Sequence, residues 1–93
     1  MTSGRSASLT PSADQVAMWD ALDRLTLENQ RPPVIRELMQ AVGKRSTSAT
    51  IYKLARGIQF GRVSQIGNHY VPAWWAKMLH ENMEKYYGNK NSN

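Results

Sequence analysis

Apolar residues recur at helical spacing three times along the chain before the period changes. Between Pro11 and Glu28, Met18, Ala21, Leu22 and Leu25 share one face, with Trp19 at its edge and Asp20, Asp23 and Arg24 opposite. Thr10-Pro11 offers one start, a capping hydroxyl followed by proline at the first helical position. Ser12 with Gln15 offers a competing capping box one register later. The run Asn29-Gln30-Arg31-Pro32-Pro33 ends this helix, because two prolines cannot continue it. In the second helix Ile35, Leu38, Met39 and Val42 fill the i, i+3, i+4, i+7 template, and Gly43 closes it as a C-terminal cap. Only Lys44 and Arg45 separate that glycine from Ser46, a good N-cap for a third helix from about Thr47 to Gly57 or Gln59.

The third helix has an apolar stripe of Ile51, Leu54, Ala55 and Ile58, which is expected to face the core. Its opposite face then carries Arg45, Ser46, Ala49, Tyr52, Lys53 and Arg56, with no acid among them. After Gly61 the period becomes extended. Arg62-Val63-Ser64-Gln65-Ile66, a Gly67-Asn68 loop and His69-Tyr70-Val71 read as a β-hairpin, and Pro72 ends its second strand or opens the next element. From Ala73 to Tyr87 the chain returns to helix, with Trp75, Met78, Leu79, Asn82, Met83 and Tyr86 on one face and Lys77, His80, Glu81 and Glu84 on the other. The expected fold is mainly α (α+β): a winged helix-turn-helix of three helices and a two-stranded wing over residues 10–72, then a C-terminal amphipathic helix over 73–88. Residues 1–9 and 89–93 are expected to be a disordered arm and tail.

Charge sharpens this picture. The 93 residues carry a net +5, yet residues 1–30 come to −2 and residues 63–93 to +1. Residues 31–62 hold Arg31, Arg36, Lys44, Arg45, Lys53, Arg56 and Arg62 against Glu37 alone. Positive charge gathered on one part of a small domain attracts a polyanion, most commonly a nucleic acid.

Pro32-Pro33, Glu37-Leu38, the run Val42-Gly43-Lys44-Arg45-Ser46, Leu54 and Gly61 occur in an order that resembles the N-terminal winged-helix DNA-binding domain of the LexA repressor. Leu9-Thr10 is similar to that family's opening, and the resemblance spans about 60 residues. It implies that Ser46, Ser48, Ala49 and Tyr52 meet base edges, while Lys53, Arg56 and the wing face phosphates. Two positions depart from the family pattern. Val34 stands where a hydroxyl N-cap is preferred, and Gly57 stands where a core leucine is expected, one residue out of step with the apolar stripe. Only the binding module is matched, and no serine–lysine self-cleaving domain is expected.

The expected function is therefore sequence-specific binding of double-stranded DNA by a small bacterial or phage transcription regulator. Arg36, Lys44, Arg45, Lys53, Arg56 and Arg62 would contact phosphates, and Gln65, Asn68 and His69 of the wing would lie along the flanking backbone. The C-terminal apolar face would either pack back on the first helix and Trp19 or form a two-fold interface between copies, with Asn82 in the seam. The alternative function is a protein–protein adaptor, such as a phage factor docking on a host protein through that helix. Other classes find no foothold. Without cysteine there is no disulfide or thiolate chemistry, and His69 and His80 lack partners at zinc-ligand spacing. Nothing resembles a catalytic set, so neither an enzyme nor a cofactor is expected. No apolar run suits a membrane span or a secretory signal, so a cytoplasmic, nucleoid-associated location is expected.

Overall fold

Ser12 starts the first helix. Its Oγ accepts the Gln15 amide at 3.1 Å while Gln15 Oε1 accepts the Ser12 amide at 3.1 Å, a complete capping box. Of the two starts offered by the sequence, the computed structural model, which describes residues 10–83, takes the later. Helix α1 (Ala13–Asn29) ends on Gln30, which turns the chain with a left-handed φ of +58° into the two prolines. Helix α2 (Ile35–Val42) and helix α3 (Thr47–Gln59) follow, then strands β1 (Val63–Ile66) and β2 (His69–Pro72), then helix α4 (Ala73–Met83). The described residues thus form a small, mainly helical α+β unit of four helices and one antiparallel hairpin, an order compatible with a winged-helix layout. None of these helices is long and apolar enough to cross a membrane.

The short connection between α2 and α3 is closed by local hydrogen bonds. Val34, at the N-cap of α2, has no side-chain acceptor, but its own N–H donates to Glu37 Oε1 at 3.1 Å, half of a capping box. Gly43 takes the left-handed conformation at φ +69°, and the next amide, that of Lys44, donates to Met39 O at 2.9 Å. Ser46 then caps α3, its Oγ accepting the Ala49 amide at 3.1 Å.

The core centres on Trp19, which the helical pattern puts at the edge of its face but which is only 1% exposed. Met18, Ala21, Leu22, Leu38, Leu54 and Val63 surround it, and Phe60 packs on its ring at a tilt, with centroids 5.7 Å apart. The register of α3 also differs from expectation. Thr50, Leu54 and Gly57 face inward, whereas Ile51 and Ile58 are 36% and 40% exposed. The cause lies at Gly57: a Cβ there would stand 2.6 Å from Trp19 Nε1 and 2.5 Å from Val63 Cγ2. The indole occupies the volume a leucine side chain would fill, and its Nε1–H donates to Lys53 O at 2.8 Å. The helix runs on to Gln59 with Thr50, Leu54 and Gly57, not the expected Ile51 and Ile58, turned inward. Thr50 is buried without penalty because its hydroxyl donates to Ser46 O at 2.9 Å, as that of Thr26 does to Leu22 O at 2.7 Å.

The hairpin pairs Val63 with Pro72 through Ile66 with His69, leaving Gly67-Asn68 as its two-residue loop. Gly67 supplies the positive φ, +59°, that this tight turn needs at its first position. Residue 62 fastens the hairpin at its base, where its amide donates to Gly57 O at 2.8 Å and its carbonyl accepts the Ala73 amide at 3.0 Å. Helix α4 lies against β1 and β2, and none of its described side chains is fully buried. Tyr86, the last residues of the expected C-terminal helix and both expected disordered ends lie outside the described residues.

Candidate nucleic-acid interface

Within residues 31–62 the single acid, Glu37, is held by Arg31 in a two-point ion pair, Nη1 to Oε1 at 3.2 Å and Nη2 to Oε2 at 3.1 Å. The hydrogen bond from Arg31, with help from the Val34 amide, keeps the Glu37 carboxyl below its ordinary range. The same pairing raises the Arg31 guanidinium. One cation and one anion of the segment thus neutralise each other, and six cations remain. Arg36 and Lys44 meet across an open groove of about 380 Å³ between α2 and the start of α3, lined also by Ile35, Met39, Gln40 and Thr47. Arg45 is exposed in the same turn. Lys44 reaches Asp14 of α1 at 3.8 Å, a loose exposed pair worth little in water.

Beside this groove stands α3. Its outward stripe is Ser48, Ile51, Tyr52 and Ala55, spaced i, i+3, i+4 and i+7, with Tyr52 60% exposed. This differs from the expected face, which takes Ile51 and Ile58 as core. Tyr52 lies in both, Ala49 is exposed beside it, and Lys53 and Arg56 form a half-buried flank. Ser46 is exposed, with its oxygen engaged in the cap. Arg56 lies over the Phe60 ring at 5.1 Å and donates to Gln59 Oε1 at 2.7 Å. In the hairpin, Gln65, Asn68 and His69 all face solvent together with Ile66.

Arg62 stands apart from the other cations. Its Nη2 donates to Asp20 Oδ1 at 2.9 Å and to Asp23 Oδ2 at 3.0 Å, and its guanidinium lies 5.7 Å from the Trp19 ring centroid. The hydrogen bond to Asp20 leads in raising its pKa. Asp23 Oδ1 also accepts the Trp74 indole N–H at 3.0 Å. Asp20 and Asp23, expected on a solvated face, therefore join α1 to the hairpin and to α4. Their i, i+3 spacing was the available signal, since it aligns two carboxylates on one helical face, but nothing in the sequence named their partner.

Between α1 and α4 lies an open apolar groove of about 420 Å³ lined by Thr26, Leu27, Gln30, Trp74, Trp75 and Met78. Met83, 58% exposed, and Leu79 project beyond it, while Asn82 is exposed on the same helix. No group of three His, Asp or Glu side chains among the described residues is placed to hold a metal ion. Comparison of the chain with family models, with curated proteins and with solved structures found no match in any of the three.

Proposed function

We propose that this chain is a winged-helix protein that binds double-stranded DNA sequence-specifically, as a small transcription regulator, with α3 in the major groove. The observation that carries this reading is the pairing of an exposed, uncharged α3 face with cations grouped at its N-terminal end and flank. An α-helix with its side chains is about 10–12 Å across, close to the width of the major groove. With Ser48, Ala49 and Tyr52 turned to the base edges and Ser46 at the helix entrance, Arg36, Lys44 and Arg45 meet the backbone on one side. Lys53 and Arg56 serve the flank, and Gln65, Asn68 and His69 of the hairpin follow the adjoining strand. Arg62 acts chiefly as the pin that orients the hairpin. The resemblance to the LexA binding module agrees with this docking. Selection from a random duplex library at near-physiological salt tests it: an enriched motif is expected, and no enrichment would refute sequence-specific binding.

The α1–α4 groove favours a second reading, a two-fold contact with another copy of the chain. The groove itself carries no formal charge, and although α1 and α4 together come to −3, each carboxylate of α1 is paired, Asp14 with Lys44, Asp20 and Asp23 with Arg62, and Glu28 with Arg24. A copy can approach this face without the repulsion that residues 31–62 impose elsewhere. The projecting Leu79 and Met83 of each copy would fill the groove of the other, as an isologous contact requires. Sedimentation equilibrium should find a dimer that Met83→Glu dissociates without unfolding. A chain that stays monomeric at high micromolar concentration would exclude the contact and leave the face to a different protein.

A further inference from the structure

Resting on the major-groove reading of α3, we infer that the bases it reads are thymines, recognised through their C5 methyl groups. Guanine is most strongly read by the two-point contact of Arg or Lys, and adenine by that of Asn or Gln. Residues 46–52, Ser-Thr-Ser-Ala-Thr-Ile-Tyr, contain none of these side chains and no acid to accept from cytosine. The first amide on the helix is that of Gln59, seven residues and about 10 Å beyond Tyr52, and it is bonded to Arg56. Arg45 precedes the cap, outside the helix.

The first two turns do offer hydrocarbon. Ile51 is a branched aliphatic residue left 36% exposed because the burial stripe of α3 runs through Thr50, Leu54 and Gly57. Ala49 and Ala55 add methyl groups on either side of the Ser48–Tyr52 line. Two hydroxyls there already have partners: Ser46 Oγ accepts the Ala49 amide, and Thr47 donates to Met39 Sδ at 3.7 Å. A surface with methyl groups and a few hydroxyls discriminates mainly by apolar contact, and thymine alone among the bases brings a methyl group to the major groove.

The test replaces dT by dU, one position at a time, in the duplex selected by the protein. This removes a single methyl group and leaves every Watson–Crick hydrogen bond intact. Affinity should fall about fourfold at each contacted thymine, the worth of one buried methyl group. Ile51→Ala should fold normally and abolish the dT/dU difference at one of those positions, while Arg45→Ala should weaken binding to all duplexes alike. Equal affinity for the dT and dU duplexes would overturn the inference while leaving DNA binding in place. A selected site without thymine opposite α3 would do the same. Failure to select any duplex would overturn both.

Discussion

At Gly57 the helix passes so close to Trp19 that a single methyl group would meet the indole nitrogen and a methyl group of Val63. Alanine is intrinsically about 1 kcal/mol better than glycine inside a helix, yet here overpacking opposes that gain. Gly57→Ala should lower stability by about 1–3 kcal/mol, read from the denaturant midpoint at unchanged slope. The same substitution in a Trp19→Phe background should cost less, because the smaller ring removes the clash with the indole nitrogen while that with Val63 Cγ2 remains; equal losses in both backgrounds would rule out this pairing. Both residues carried a trace of their role in the sequence. Gly57 stood where a leucine was expected, and that missing volume needed a large neighbour to fill it. Which neighbour was not readable, because Trp19 and Gly57 are 38 residues apart and only the folded chain brings them together.

Elements whose ends are set by local chemistry were the most legible. The stop at Pro32-Pro33, the Gly43 cap, the Ser46 cap and the Gly67-Asn68 loop each rest on a few adjacent residues, and each occurs where the sequence puts it. The rotation of α3 and the pose of α4 were not legible, because tertiary partners decide them. Ile51 and Ile58 look like core by period alone, and the Trp19 indole displaces that choice. The hairpin and α4 are held to α1 through Arg62, Asp20, Asp23 and Trp74. Arg62→Ala should therefore cost about 1 kcal/mol of stability, a modest figure because the side chain is 36% exposed and its pairs are screened. Trp74→Phe should increase amide exchange in α4 while leaving that of α1 unchanged. The start of α2 depends on the Glu37 carboxylate, whose pKa is lowered by Arg31 and the Val34 amide. Its contribution is complete above the ordinary carboxylate range of about pH 4 and is lost as pH falls through the lowered folded-state value. Glu37→Gln should remove that part of the acid dependence, visible as a flatter stability curve below about pH 4.

For the molecule as a whole, the distribution of charge says more than its sum. The net +5 conceals a middle third whose one acid is taken up by Arg31, beside an α1 rich in carboxylates and an α1–α4 groove without formal charge. The basic segment could be read from the sequence, whereas the division of its cations could not. Arg62 is drawn to α1 by two aspartates, which leaves Arg36, Lys44, Arg45, Lys53 and Arg56 around α3. The measurement that bears most directly on DNA binding is affinity for the selected duplex and for a scrambled duplex as salt is varied. Five phosphate contacts give a slope of log affinity against log salt of about −4 to −5. The two duplexes should show similar slopes, with the selected one bound far more tightly throughout. A slope near zero, or equal affinity for both duplexes at every salt concentration, would contradict sequence-specific recognition by α3.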